Sequence, residues 1–205
     1  MTMHARSNSH RRAAMRVAVA GTAVAVGISG TLTAVANADQ QVGRFWVKGQ
    51  IETAYFATGG WARWGVPLIQ ESNAARGGKF QNFKEDASFY WHPSVDGGNA
   101  HQVGGAIRAK WGESRWEHGP LGYPTTDEIH ARGPFNTVTG AMNAFQGGVI
   151  YWSPSGGAWP VWGQILVKWS DAKRESGRYG YPTGPEIKTG NSFSQTFQRG
   201  VITWP

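Results

Sequence analysis

The chain has no cysteine among its 205 residues. That excludes disulfide staples, a thiolate nucleophile and every cysteine-based zinc site. Charge is also scarce, at 16% of residues. The formal net charge of +7 comes partly from one end. Four of the 20 basic residues, Arg6, Arg11, Arg12 and Arg16, lie in the first 38 residues, where no acid occurs. Beyond residue 38 there remain 16 Lys and Arg against 13 Asp and Glu, a net +3. So modest a balance, behind an export-type start, speaks against nucleic acid as a partner. Two catalytic signatures are missing, Gly-x-Ser-x-Gly and His-Glu-x-x-His. His92, His101, His118 and His130 stand 9, 17 and 12 residues apart, which matches no metal-ligand spacing. No catalytic residue, metal or cofactor is expected. Glu117 and His118 come nearest to an acid–base pair, but adjacent loop residues usually point apart.

What is present begins with an address. The basic start is followed by an apolar run broken by small residues, and Ala36-Asn37-Ala38 supplies an Ala-x-Ala site. Basic, apolar, then small is the order of a secretory signal. Residues 1–38 are therefore expected to be removed, leaving 39–205 as one secreted domain with no membrane span. The Gly and Thr content of the run disfavours the rival reading, an uncleaved anchor. Arg11-Arg12 fits twin-arginine export and Ala13-Ala14-Met15 fits it poorly, so both export routes stay open.

All 11 Trp lie beyond residue 38, in a chain with 29 Gly. They fall into a repeat. Gly65-Val66-Pro67, Gly122-Tyr123-Pro124 and Gly180-Tyr181-Pro182 are spaced 57 and 58 residues apart, each with a Glu four residues on: Glu71, Glu128, Glu186. Upstream runs Val-x-Gly-x-Ile-x-x-x-aromatic, ending on Tyr55, Trp111 and Trp169. Downstream, Phe145-Gln146-Gly147-Gly148-Val149-Ile150-Tyr151-Trp152 matches residues 197–204, and 83–91 is a longer, degenerate copy. Ile and an aromatic four residues later share a helix face, so the upstream phrase predicts a short helix. The Val/Ile/Trp-rich phrase predicts a strand, turned by residues 153–157 into a hairpin. Thr125-x-x-Glu128 and Thr183-x-x-Glu186 have capping-box spacing, so Thr125, Glu128, Thr183 and Glu186 are expected as structural caps. The expected fold is α+β: three helix-plus-β-hairpin repeats in one pseudosymmetric domain, at about 47–102, 103–160 and 161–205. The last repeat lacks a strand, and 45–47 is expected to pair with 201–204 and close the array into a ring.

With their combined motifs, residues 45–205 resemble the LGFP repeat family. Leu121-Gly122-Tyr123-Pro124 is the nearest copy of its naming motif, while Trp64-Gly65-Val66-Pro67 and Tyr179-Gly180-Tyr181-Pro182 depart from it. The resemblance implies secreted, repeat-built modules of envelope proteins. Some such modules are joined to mycoloyltransferases or peptidoglycan amidases and hold them at wall polysaccharide. The expectation is therefore a non-catalytic cell-wall protein binding a glycan, an arabinogalactan- or peptidoglycan-linked polysaccharide. A protein-binding or self-associating envelope protein is the alternative, and a small secreted hydrolase stands behind both. Repeating aromatics, including Trp91, Trp152 and Trp204, read as core. Trp116, His118, Tyr123, Tyr181 and Trp162 are the candidate carbohydrate contacts.

Overall fold

A computed structural model describes residues 39–205, so the signal read over 1–38 lies outside the described residues. The described chain opens with an antiparallel hairpin of β1 (Gln40–Val42) and β2 (Phe45–Val47). Helix α1 (Gly49–Ala57) follows, then the short α2 (Gly60–Trp64). A four-stranded antiparallel sheet comes next, in the order β3 (Ser72–Asn73), β4 (Lys79–Phe83), β5 (Ala87–Trp91), β6 (Ala100–Gly104). Helix α3 (Gly105–Glu113) leads to a second such sheet, β7 (Ile129–Arg132), β8 (Val138–Phe145), β9 (Gly148–Ser153) and β10 (Gly157–Trp162). Helix α4 (Gly163–Asp171) leads to a third sheet of β11 (Pro182–Thr189), β12 (Ser192–Phe197) and β13 (Gly200–Trp204). The class is α+β.

All three Gly-x-Ile phrases open helices, as their spacing predicts. Gly49, Gly105 and Gly163 have φ of 52°, 49° and 52°, a left-handed entry that a side chain would strain. Tyr55, Trp111 and Trp169 are fully buried and pack on the Phe of the downstream phrase. Ring centroids lie 4.7 Å apart for Tyr55–Phe83, 5.1 Å for Trp111–Phe145 and 5.3 Å for Trp169–Phe197. The polar tips of two of them fasten the Gly-x-Pro turn. The Tyr55 hydroxyl donates to the Gly65 carbonyl at 2.8 Å, and Trp169 Nε1 to the Gly180 carbonyl at 3.0 Å.

A buried amide holds each sheet to its surroundings. Gln81 donates to the carbonyls of Trp46 and Ile69, both at 3.0 Å. Asn143 donates to Gln102 at 2.8 Å and Thr126 at 3.0 Å. Gln195 donates to Pro160 at 2.8 Å and Gly184 at 2.9 Å. Each thus ties the strand entering a helix to the stretch after a Gly-x-Pro turn. All three are buried, which makes both bonds expensive to lose.

Three expectations are corrected. The Phe-Gln-Gly-Gly phrase is itself a hairpin turn, since Phe145 pairs with Gly148 and Phe197 with Gly200. The strands before it, β4, β8 and β12, were not foreseen. The Thr-x-x-Glu phrases cap no helix. Pro124 bridges Phe145 and the chain continues into β7, while Thr183 and Glu186 lie within β11. Sheet pairing, not a local cap, sets their conformation. Finally, β2 pairs with β1 and β13 only with β12, so the closure of 45–47 on 201–204 is not formed. The two-residue turn Gly43-Arg44, with Gly43 at φ 62°, makes the local hairpin far cheaper in loop entropy than a pairing across the whole chain.

Candidate functional site

The three Gly-x-Pro glutamates do one thing in common: each lines a pocket at the entry to a helix. The first pocket, about 360 Å³, is lined by Lys48, Gly49, Ile51, Glu71, Lys79 and Trp91. The second, about 240 Å³, has Gly105, Ile107, Glu128, Ala141 and Trp152. The third, about 200 Å³, has Trp162, Gly163, Ile165, Glu186, Phe193 and Trp204. The shared frame is a glycine with left-handed φ, the Ile two residues on, a Glu and a Trp. Nothing lies within 4 Å of where a Cβ on Gly49, Gly105 or Gly163 would sit. The glycine is thus required by its backbone angle and leaves the mouth open.

Strand register explains the recurrence. Glu186 on β11 stands opposite Gln195 on β12. Continuing the register of the pairs Ser72–Phe80 and Ile129–Met142 by one residue sets Glu71 opposite Gln81 and Glu128 opposite Asn143. Each Glu therefore shares a sheet face with a buried amide. The lining residues Lys79, Ala141 and Phe193 stand two positions before that amide, on the same face.

The carboxylates are half-buried and, among the described residues, none makes an ion pair. Burial pushes the Glu71 and Glu128 carboxyls above the usual range, with Lys79 and Lys48 opposing and Asp39 adding to the rise at Glu71, and Arg63 and His130 opposing at Glu128. Glu186 accepts one hydrogen bond, from Trp162 Nε1 at 2.8 Å. Trp91 and Trp152 are partly exposed and Trp204 is 37% exposed. These three are pocket walls, not the core fillers expected of them. The buried set is Tyr55, Trp111 and Trp169.

Of the sequence-derived contacts, only Trp162 reaches a pocket of this set. Tyr123 is 1% exposed and donates its hydroxyl to the Ala75 carbonyl. Tyr181 is 4% exposed, with its hydroxyl 2.7 Å from Thr139 Oγ1. Each thus plugs into the sheet preceding its own, over Gly78 and Gly140. A Cβ on Gly78 would stand 2.2 Å from the Tyr123 hydroxyl, and one on Gly140 2.9 Å from that of Tyr181. Their burial answers what the Gly-Tyr-Pro phrase is for: a joint. Val66, at the same place in the first copy, meets Gly43 of the opening hairpin and stays 40% exposed. Glu117 belongs to the joint as well. Its Oε1 accepts the Ala75 amide at 3.1 Å, and Glu175, 58 residues on, accepts the Arg132 amide at 3.4 Å. His118 Nδ1 lies 3.2 Å from Glu117 Oε1 with its side chain outside, and Trp116 lies over Gly112, 45% exposed. The pocket set was missed because Thr125 and Thr183 give Glu128 and Glu186 the spacing of a capping box, a pattern that Glu71 lacks. That departure, Leu68 in place of Thr, was the available sign that the Glu repeats for another reason.

A second charged cluster crosses the first joint. His101 on β6 has Nε2 2.9 Å from Asp96 Oδ2 and Nδ1 3.6 Å from Asp127 Oδ1, the latter an electrostatic neighbour rather than a hydrogen bond. Burial opposes the imidazolium, but the two carboxylates outweigh it and hold the His101 pKa above its usual value. A raised folded-state pKa contributes stability that is full below about pH 6.5 and is lost as pH rises through the folded value. The melting temperature is expected to fall across that rise, and His101→Phe to flatten the fall. A profile identical in the variant would exclude His101 as its source.

No group of three or more His, Cys, Asp or Glu side chains among the described residues could hold a metal ion. No helix among them is long and apolar enough to cross a membrane.

Helix-and-sheet segments in succession, each with the same buried amide and the same acid–indole pocket, define a repeat-built α+β protein. A family model for the LGFP repeat matches residues 65–119 and 121–177, more than half of the chain. The protein belongs to the LGFP repeat family. No curated protein matches it.

Proposed function

We propose that the chain is a three-copy LGFP array, exported and held at the cell wall, that binds envelope polysaccharide without catalysing a reaction on it. Residues 178–205, beyond the two matched segments, carry a third Gly-x-Pro turn, the buried Gln195, and Glu186 and Trp204 of the third pocket. The observation that carries the binding role is the recurrence of a partly exposed Trp beside an unpaired carboxylate in all three pockets. An indole face suits the C–H face of a sugar ring. A carboxylate accepts charge-assisted hydrogen bonds from its hydroxyls. Three weak sites on one compact unit gain avidity on a polymer that presents the same residue repeatedly. The ligand class favoured is a wall glycan, arabinogalactan- or peptidoglycan-linked. Phe135, 99% exposed, and Trp61, 71% exposed, lie outside the pockets and favour a protein partner as a second reading.

The test is retention on purified wall polysaccharide against wall stripped of it. Protein comprising residues 39–205 should stay on the first and wash off the second. Equal retention on both would overturn glycan binding and leave the protein-partner reading.

A further inference from the structure

The three pockets share a frame but differ in charge, and the third stands apart. Where the first has Lys48 and Lys79, with Asp39 at its rim, the third has Trp162 and Phe193 and no other charged lining residue than Glu186. The second has Ala141 at the Phe193 position. The third pocket therefore gathers three aromatic rings about one carboxylate. Phe193 and Trp204 stand with centroids 6.1 Å apart and planes at 35°. Trp162 holds Glu186 Oε1 through its indole N–H, leaving Oε2 free.

No cation pairs directly with that carboxylate. Among the described residues Glu186 has no ion pair. Lys188, two residues along β11, places its ammonium over the Phe193 ring at 5.5 Å instead. Glu71 has two lysines beside it, and Glu128 feels Arg63 and His130. Ring faces carry negative potential, and a carboxylate among them is stabilised most by a positive group. A ligand that brings only hydroxyls bonds Oε2 but leaves a net negative charge in a half-buried, aromatic-walled site. One that brings an ammonium removes that charge. At about 200 Å³ the cavity lies below the roughly 300–1,000 Å³ of sites for drug-sized ligands, so it suits one ring rather than a chain.

We propose that the third pocket selects a sugar residue carrying a free, protonated amine, with the ammonium on Glu186 and the ring against Trp204 and Phe193. This rests on the glycan-binding reading and names the ligand of one of its sites. The other two pockets, whose carboxylates already have cations near them, take neutral residues.

Two ligands with one backbone separate the idea from general sugar binding: a β-1,4-linked glucosamine tetramer and its fully N-acetylated form. Calorimetric titration should show the amine form bound about tenfold more tightly at pH 6. The difference should vanish in Glu186→Gln, checked for an unchanged melting temperature, and widen in Lys188→Ala, which removes the competing cation. The protein's net positive charge works against a merely electrostatic preference for a polycation. Equal binding of the two forms would overturn the proposal. So would a preference that survives Glu186→Gln, or binding of tetramethylammonium without glucosamine. Wall retention is measured separately, so loss of this selectivity alone leaves the glycan-binding reading standing.

Discussion

Replacing Tyr123 with alanine should destabilise the domain by about 3–5 kcal/mol, the range for a large buried aromatic cut to a methyl. The side chain is 1% exposed, and its ring meets His92 at 5.1 Å and Tyr90 at 6.3 Å, both in the preceding sheet segment. Truncation empties the joint and strips the Ala75 carbonyl of its donor, adding roughly 1 kcal/mol. For a domain of this size the melting temperature should fall by about 10–15 °C. Gly78→Ala should act from the other side, because its Cβ would meet the Trp91 carbonyl at 2.6 Å as well as the Tyr123 hydroxyl. Val66→Ala, in the copy preceded only by the β1–β2 hairpin and with Val66 already 40% exposed, should change little. Thermal melts of the three variants decide this. Tyr123→Ala melting within about 2 °C of the parent would mean the Gly-Tyr-Pro aromatic joins nothing.

Glycan binding should collapse more than proportionally as the pockets are removed. Trp91→Ala, Trp152→Ala and Trp204→Ala each take away one stacking face while sparing the buried Tyr55, Trp111 and Trp169. On a polymer, one pocket lost should weaken retention severalfold. All three lost should abolish it, since avidity of about 10²–10⁴ over a single site depends on simultaneous engagement. Measured on immobilised wall polysaccharide, a triple variant that keeps the parent's melting temperature and its binding would show that the pockets are not the contact.

The helices were legible because Ile51 and Tyr55, and their counterparts, depend only on spacing within one turn. The strands β8 and β12 were not. Residues 138–145, Val-Thr-Gly-Ala-Met-Asn-Ala-Phe, read poorly as a strand because two of them serve other ends. Gly140 clears space for Tyr181, and Asn143 carries the buried amide. Both demands come from residues tens of positions away. The glutamates failed for the same reason. Thr-x-x-Glu looks alike at a helix start and in a strand, and only the pairing of Pro182 with Phe197 and Glu186 with Gln195 decides which it is. The joint was legible as a turn but not as a plug, since nothing local says that Tyr123 is received by Gly78. Glu117 went unrecognised as a repeated residue because its partner Glu175 sits in a differently worded stretch, Lys-Arg-Glu-Ser.

The most direct test of the central claim reads the indoles themselves. In ¹⁵N-labelled protein, soluble fragments of wall polysaccharide should shift the indole N–H resonances of Trp91, Trp152 and Trp204, and that of Trp162 through Glu186. Those of the buried Trp111 and Trp169, and of Trp61, outside the pockets, should stay in place. Shifts confined to Trp116 and its neighbour His118, with the pocket indoles unmoved, would contradict the account.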